Sequence, residues 1–369
     1  MKIIVLQDRL RSGGTERHSI LLSREFAEAG HRAELVTFRP GGALAGTVSS
    51  AHRCLQPFDT GIDWLAPGLT GRILAGSPDI VLCMGKTANC FACRIQRRAA
   101  ALGLATKVVA TLRAGDRLPW FYTCSVRRAC HAVTNSDEAA ERLVAAHGIE
   151  RGAVSVIHNS LVFPESAGGR DEALRSDLGA GTGSTVLLSV AMFRPPKNQR
   201  ALLEIAAGLP GDWDWRLWLV GDGPERGRCE ALCRRLGLGR RVSFLGFRAD
   251  PGPYYRSADI AVHASSEEAL SNFLIEAQAH GLPAVACRAL GIRECFVEGS
   301  TGWMVEQGDH AGFRSALALL AADTPAVRAA RSQTARAFAR RSFDPGRQVK
   351  AYLALFESLL SEKPQAPRP

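Results

Sequence analysis

The chain has 369 residues, enough for two domains, and its 46% hydrophobic and 22% charged content is that of a globular protein. Such a composition excludes a disordered chain, a collagen-like repeat and a coiled coil. The net charge of +10 is spread over both halves and carried mainly by arginine. It favours phosphates or anionic headgroups, and with no zinc-finger spacing, basic heptad region or basic strand with interleaved aromatics, nucleic acid is not the expected partner.

In chain order, short apolar runs alternate with segments of helical period. In the first half the expected strands are 2–6, 33–38, 79–84, 107–112, 132–135 and 154–158; in the second they are 185–191, 216–220, 242–245, 260–264, 284–287 and 303–305. Most are continuously apolar, as parallel strands covered on both faces must be. Between them, segments such as 16–29, 136–147, 199–207 and 225–236 place apolar residues at i, i+3, i+4 and i+7. This predicts two doubly wound α/β domains, residues 1–165 and 185–345. A Gly-, Ser- and charge-rich linker over 166–184 joins them, and an amphipathic helix within 346–362 is expected to return to the first domain. No apolar run reaches the roughly 18 residues a membrane span needs. The run before Gln7 and Asp8 is too short for a secretory leader, so a cytoplasmic protein is expected. The ten cysteines lack a second C-x-x-C to partner Cys90 and Cys93, and read as structural thiols rather than metal ligands.

In doubly wound sheets ligands bind beyond the carboxyl ends of the strands, so the loops there carry the argument. The first strand leads into Gly13-Gly14-Thr15-Glu16-Arg17 and a helix, where bare backbone and free N–H groups suit an anion. The spacing is neither G-x-G-x-x-G nor a P-loop, which disfavours a dinucleotide oxidoreductase and a P-loop NTPase. Lys86 and Arg113 follow two further strands of this half. In the second half, Arg194-Pro-Pro-Lys197 stiffens two cations after a strand, a pairing suited to adjacent phosphates. Gly221, in Gly-Asp-Gly, lets a flat base approach the main chain, and Phe247 is placed to flank it. The segment 260–286 runs from a strand ending near His263, through Glu268, to a helix opening at Ser271 or Asn272 and carrying Glu276. Two carboxylates either side of a helix mouth, with the main-chain N–H groups of Leu270, Ser271, Asn272 and Phe273 between them, suit a diphosphate joining two hydroxyl-rich groups.

The order of these motifs resembles the retaining glycosyltransferases of family 4, which have the GT-B fold of two Rossmann-like domains facing across a cleft. The matching segments are the Gly13-Gly14 loop, Arg194 to Asn198, Val220 to Gly223, Phe244 to Phe247, Glu268 with Glu276 and the Gly281-Leu-Pro that follows, Gly291 to Glu294, and Thr301-Gly302. The resemblance implies that Glu276 holds the ribose of a nucleotide sugar and Glu268 the sugar hydroxyls. It also implies that Arg194 and Lys197 neutralise the diphosphate leaving group without a metal or other cofactor, and that Gly14 closes on the phosphate. Arg17, Lys86 and Arg113 are then candidates for the acceptor, and His263 for the donor. Two departures stand out. Arg113 and Asp116 occupy the place where many relatives have a histidine, leaving Asp116 as the local carboxylate candidate, and Glu268-Ala269-Leu270-Ser271 replaces Glu-Gly-Phe-Gly.

The implied activity is transfer of a sugar from a nucleotide diphosphate sugar, UDP-linked by preference, to a saccharide or lipid-linked saccharide of the cell envelope. Arg94, Arg97, Arg98, Arg127 and Arg128 would meet a phosphorylated acceptor or the inner face of an anionic membrane peripherally. The competing readings are a GT-B sugar-nucleotide epimerase or phosphorylase and a catalytically silent nucleotide-sugar or glycan-binding subunit, and turnover separates the silent subunit from the enzymes.

Overall fold

The computed structural model describes residues 1–11, 13–48, 51–56, 66–113, 120–161, 163 and 169–362. The chain divides into two compact units, residues 1–160 with the C-terminal segment from 345, and residues 161–344.

The first unit is built on a parallel sheet of β1 (Lys2–Gln7), β2 (Arg32–Thr37), β3 (His52–Cys54), β4 (Ile80–Cys83), β5 (Lys107–Leu112), β6 (His131–Thr134) and β7 (Val154–Val156), in the order β3-β2-β1-β4-β5-β6-β7. β1, β4, β5 and β6 are almost wholly buried, which is why they read as unbroken apolar runs. β3 escapes a hydrophobicity reading because it is an edge strand whose three residues, His-Arg-Cys, are half-buried or exposed. The expected helix at 136–147 is Asp137–His147, where Ser136 caps the N-terminus by accepting from the Ala139 N–H and Gly148 closes the C-terminus in the left-handed conformation.

The C-terminal helix Pro345–Ser361 lies against the helix Gly14–Glu28. Phe26, Tyr352 and Phe356 are fully buried there, with Phe26 edge-on to Tyr352 at 6.0 Å and 5.7 Å from Phe356. Each such aromatic contributes roughly 1.5–3 kcal/mol by burial. The Ser160 hydroxyl adds a hydrogen bond of 2.7 Å to Gln348 Oε1, and Gln348 Nε2 donates to the His158 carbonyl.

The second unit carries β8 (Thr185–Val190), β9 (Trp215–Val220), β10 (Val242–Gly246), β11 (Ile260–His263), β12 (Ala284–Cys287) and β13 (Gly302–Val305), ordered β10-β9-β8-β11-β12-β13 and again all parallel. Trp215, Trp218 and Phe313 are among its fully buried side chains. Within the segment expected to be a linker, the short helix Glu172–Asp177 belongs to this unit. Its Arg175 is completely buried, bonded to the Ser257 and Ser184 carbonyls at 2.7 Å and to Asp259 at 3.2 Å. A long helix, Pro325–Ser342, had no strong sequence signal, since its alanines and arginines carry little amphipathic pattern and only Ala335 and Ala339 are buried.

The cysteines are all free; Cys83, Cys229, Cys233, Cys287 and Cys295 are buried, whereas Cys90 and Cys93 are half-buried and Cys54 is exposed. No helix among the described residues is long and apolar enough to cross a membrane.

Candidate active site

The strand order reverses between β8 and β11, which pair with Ile260 opposite Leu187. The loops leaving these neighbours diverge to opposite faces and leave a crevice, the place where open parallel sheets bind ligands. β8 delivers Arg194 and Lys197, and β11 delivers His263 and Glu268.

The β8 loop closes with a single 3-10 turn, Pro195–Lys197, followed by Asn198 in the left-handed conformation at φ 49°. It is fastened to the β11 loop by three contacts to one carbonyl. The Ser266 N–H and the Ser265 hydroxyl each donate to the Pro196 oxygen at 2.9 Å, and the Ser266 hydroxyl lies at 3.4 Å. Gln307 Nε2 holds the other side through the Ser265 carbonyl at 2.8 Å.

This bracing brings Lys197 Nζ onto Glu268 Oε1. The same oxygen takes a 2.8 Å hydrogen bond from His263 Nε2, and the Ser271 hydroxyl lies 3.4 Å from that ring nitrogen. Glu268 and His263 are buried, at 8% and 1% exposure. Burial alone would push the Glu268 carboxyl up; the Lys197 ammonium and the His263 bond outweigh it and hold the group at about 2. Burial lowers His263, with Glu268 opposing only in part, so the ring is a neutral donor near pH 7. His263 thus stands behind the carboxylate and orients it, a role that its position at a strand end had not distinguished from direct ligand contact.

Ser271 caps the helix Asn272–Ala279, its hydroxyl accepting from the Leu274 N–H at 3.5 Å, and the first main-chain bond of the helix runs from Ile275 to the Ser271 carbonyl. Glu276 lies on this helix, half-buried, and its Oε2 accepts a 2.7 Å hydrogen bond from the Tyr255 hydroxyl. Tyr255 is sandwiched in turn, stacked on His280 at 4.7 Å and on Phe273 at 6.0 Å. Burial and then the Glu276 charge push its phenol well up, so it donates at all ordinary pH. Sequence reasoning missed Tyr255; its position in a short helix after Pro251 offered no signal.

Gly221 has φ 140°, and a Cβ there would stand 2.0 Å from the Ala191 carbonyl oxygen; Gly223 repeats this against Phe193 at 2.4 Å. The Gly-Asp-Gly turn is therefore flattened against the β8 loop, with Gly221 N–H bonded to Gly246 C=O at 2.8 Å. Phe247 beyond it is half exposed, at 51%, and Arg194 is exposed with its guanidinium next to Met192.

In the first unit the switch point is between β1 and β4. Gly13 is the N-cap of the helix that Gly14 opens, and Arg17 on its first turn is exposed, as is Lys86 after β4. Arg113, after β5, is committed within its own unit: its guanidinium donates to Asn159 Oδ1 at 2.7 Å and to the Tyr352 hydroxyl at 3.1 Å. His18 lies behind it, fully buried and driven well down by burial and then the Arg113 charge. Asp116 lies outside the described residues. Arg94, Arg97, Arg98, Arg127 and Arg128 are all exposed.

Comparison with known proteins agrees with this architecture. Residues 12–161 match the model described as Glycosyltransferase Family 4, and residues 184–323 match Glycosyl transferases group 1. The lipopolysaccharide core biosynthesis glycosyltransferase LpsE of Rhizobium meliloti (strain 1021) is 36% identical over 149 residues, 40% of this chain and 43% of that protein. LpsD of the same organism is 33% identical over 183 residues, 50% and 52% of the two chains. The chain thus spans about half the length of the curated relatives it matches. Among solved structures, Anabaena HepE in complex with UDP-glucose superposes over 97% of this chain and all of that one, with a TM-score of 0.81 and 23% identity. The lipopolysaccharide outer core galactosyltransferase WaaB gives a TM-score of 0.71 at 18% identity, with 97% of this chain and 100% of that one covered. Two family models in chain order on two parallel-sheet units of this topology leave one conclusion: the chain belongs to the group 1 and family 4 glycosyltransferases and has the GT-B fold.

Proposed function

We propose that this protein is a retaining glycosyltransferase that moves a sugar from a nucleotide diphosphate sugar, UDP-linked, to a saccharide of the cell envelope. The observation that carries the reading is the preassembled Lys197–Glu268–His263 group at the switch point of the second unit, with Glu276 held by Tyr255 on the helix that opens beside it. Breaking a sugar–phosphate bond develops negative charge on the departing diphosphate. Cations and helix N–H groups already in place stabilise that charge without reorganising. In this reading Arg194, Lys197 and the main-chain N–H groups of residues 270–273 receive the diphosphate. Glu276 takes the ribose hydroxyls, Glu268 takes hydroxyls of the sugar, and the base lies against Gly221 with Phe247 at its edge.

The acceptor hydroxyl attacks on the face the diphosphate leaves and passes its proton to the departing phosphate oxygen as the sugar–phosphate bond breaks, in the front-face, ion-pair-like transfer that the family resemblance implies. No metal is needed in this scheme, because Lys197 and Arg194 supply the positive charge. Glu268, held at about 2, is an anion at neutral pH and serves as acceptor of hydroxyl hydrogen bonds rather than as an acid. The complexes of HepE with UDP and UDP-glucose support the choice of donor, and the lipopolysaccharide core relatives support a cell-envelope acceptor. Gly14, Arg17 and Lys86 are the acceptor-side candidates of the first unit. Arg113 joins them through whatever edge its bonds to Asn159 and Tyr352 leave open. A lipid-linked acceptor would bring the exposed arginines at 94, 97, 98, 127 and 128 to an anionic membrane face.

Titration calorimetry with UDP, GDP and ADP in EDTA tests the donor site, followed by transfer assays with the sugar conjugates of the nucleotide that binds. Binding of UDP that is lost in Glu276→Ala, with turnover lost in Glu268→Gln, is the expected pattern. Full activity of either variant would remove the roles assigned to the glutamates. A need for added divalent metal would overturn the metal-free scheme.

A further inference from the structure

At the opposite edge of the second sheet, where β8, β11 and β12 begin, there is a cavity of about 480 Å³. It is separated from the Glu268 site by the length of β11, about 13 Å for four residues. Its wall is strongly cationic. Arg170, Arg256, Arg328, Arg331, Arg336 and Arg340 line it, against two acids, Asp259 and Asp323.

Those acids are already engaged. Asp259 pairs with Arg170 at 2.8 Å and with the buried Arg175 at 3.2 Å. Asp323 is gripped by two nitrogens of Arg331, at 2.8 and 3.2 Å. Arg328 and Arg336 reach, among the described residues, main-chain carbonyls alone, of Asp323 and Ala321 and of His280 respectively. Among the described residues Arg256 and Arg340 have no ion-pair partner. Four guanidinium charges therefore face one concavity with no lining carboxylate among the described residues paired to them, Asp250 being the further acid near Arg256 and His280. Low-dielectric walls focus such a field, and forked N–H donors match phosphate oxygens.

The remaining wall supplies a second element. Tyr255 and His280, stacked face to face, border the cavity. Burial lowers His280, and the Arg256 and Arg336 charges add to that against the Glu276 carbonyl bond and the Asp250 charge, so the ring is neutral and adds no charge of its own. The half-buried His280 ring, backed by Tyr255 and set beside guanidinium groups that lack ion-pair partners, suits a phosphate carried on a small organic body. A bilayer surface would need a convex or planar basic face.

We infer that this arginine-lined cavity is a second binding site, distinct from the nucleotide-sugar site, for a small phosphate ester or diphosphate. Tyr255, stacked behind His280 in the cavity wall, also holds Glu276, so an occupant against His280 lies one side chain away from the residue that positions a donor-site carboxylate. That coupling rests on the function proposed above, whereas the site itself does not.

Calorimetric titration of the full chain with inorganic pyrophosphate and with glucose 1-phosphate tests it, in the wild type, in Arg336→Ala/Arg340→Ala and in Lys197→Met. The altered arginines are exposed, and unchanged melting temperatures will show that the variants fold. Saturable binding that survives Lys197→Met and weakens by about tenfold or more in the double arginine variant is expected, as for the loss of two charge-assisted contacts. Arg340→Glu alone should weaken it further than Arg340→Ala.

Absence of binding overturns the inference, and so does binding that ignores the arginine changes or disappears in Lys197→Met. Arginine-dependent sedimentation with phosphatidylglycerol-containing vesicles, without binding of the soluble esters, would assign the patch to a membrane and also overturn it. If UDP fails to bind while pyrophosphate binding still depends on Arg336 and Arg340, the donor reading falls and the cavity stands.

Discussion

Glu268 offers a quantitative test of the donor site, because its geometry predicts both the size and the pH window of its contribution. The carboxyl lies at about 2 against an ordinary 4.5. By proton linkage this corresponds to ~3 kcal/mol of stability at neutral pH. The sign follows from the depressed value: the folded state holds the proton less tightly than the unfolded chain. The contribution is complete above about pH 4.5 and is lost as pH falls toward 2.

Glu268→Gln keeps the shape but removes the charge that Lys197 and His263 hold. It should therefore cost up to ~3 kcal/mol at pH 7, less whatever Lys197 recovers by turning to solvent, since its side chain is 28% exposed. With a urea slope of about 2 kcal/mol/M, the midpoint should move by up to roughly 1.5 M. Tryptophan fluorescence suits the assay in a Trp64→Phe/Trp120→Phe background, because the remaining tryptophans, the buried Trp215 and Trp218 among them, all lie in the second unit and then report its unfolding alone. The gap between wild type and variant should close as the buffer is taken from pH 5 toward 2. A gap that stays constant or widens in acid would show that Glu268 is not a buried anion held by these partners.

Replacing Tyr255 by Phe removes the donor to Glu276 while keeping the stack on His280, and should weaken UDP binding by roughly ten- to a hundredfold, the worth of one hydrogen bond to a charged group. Turnover at saturating donor should stay near wild type in that variant, and a fall in turnover with unchanged affinity would contradict a positioning role. Gly221→Ala drives a Cβ into the Ala191 carbonyl at a φ of 140°, so a melting temperature within a degree or two of wild type would be incompatible with the turn described; a loss of at least roughly 2–3 kcal/mol is expected. In the first unit, buried His18 is held well below 6.5, so the unfolded chain takes up its proton first. Stability of that unit should decline as pH drops below about 6.5, and His18→Leu should flatten the slope measured by denaturant titration.

The alternation of apolar runs and helical periods was enough to identify two doubly wound units, because parallel strands buried on both faces cannot hide their composition. The glycines of Gly-Asp-Gly, the prolines before Lys197 and the eight-residue step from Glu268 to Glu276 were equally legible, since each constrains backbone or spacing locally. β3 was not, being a polar edge, and neither was the helix Pro325–Ser342, which buries little.

The partnerships within the site belong to tertiary structure alone. Lys197 and Glu268 are 71 residues apart and meet because β8 and β11 are neighbours across the switch point. Tyr255 reaches Glu276 from another helix, and His263 shows its purpose only when the chain has buried it behind a carboxylate. Residue types and spacings announce which groups a loop carries. Which of them share one oxygen, and which is dry enough to have its charge fixed, depends on sheet order and register, and those are set by packing summed over the whole unit.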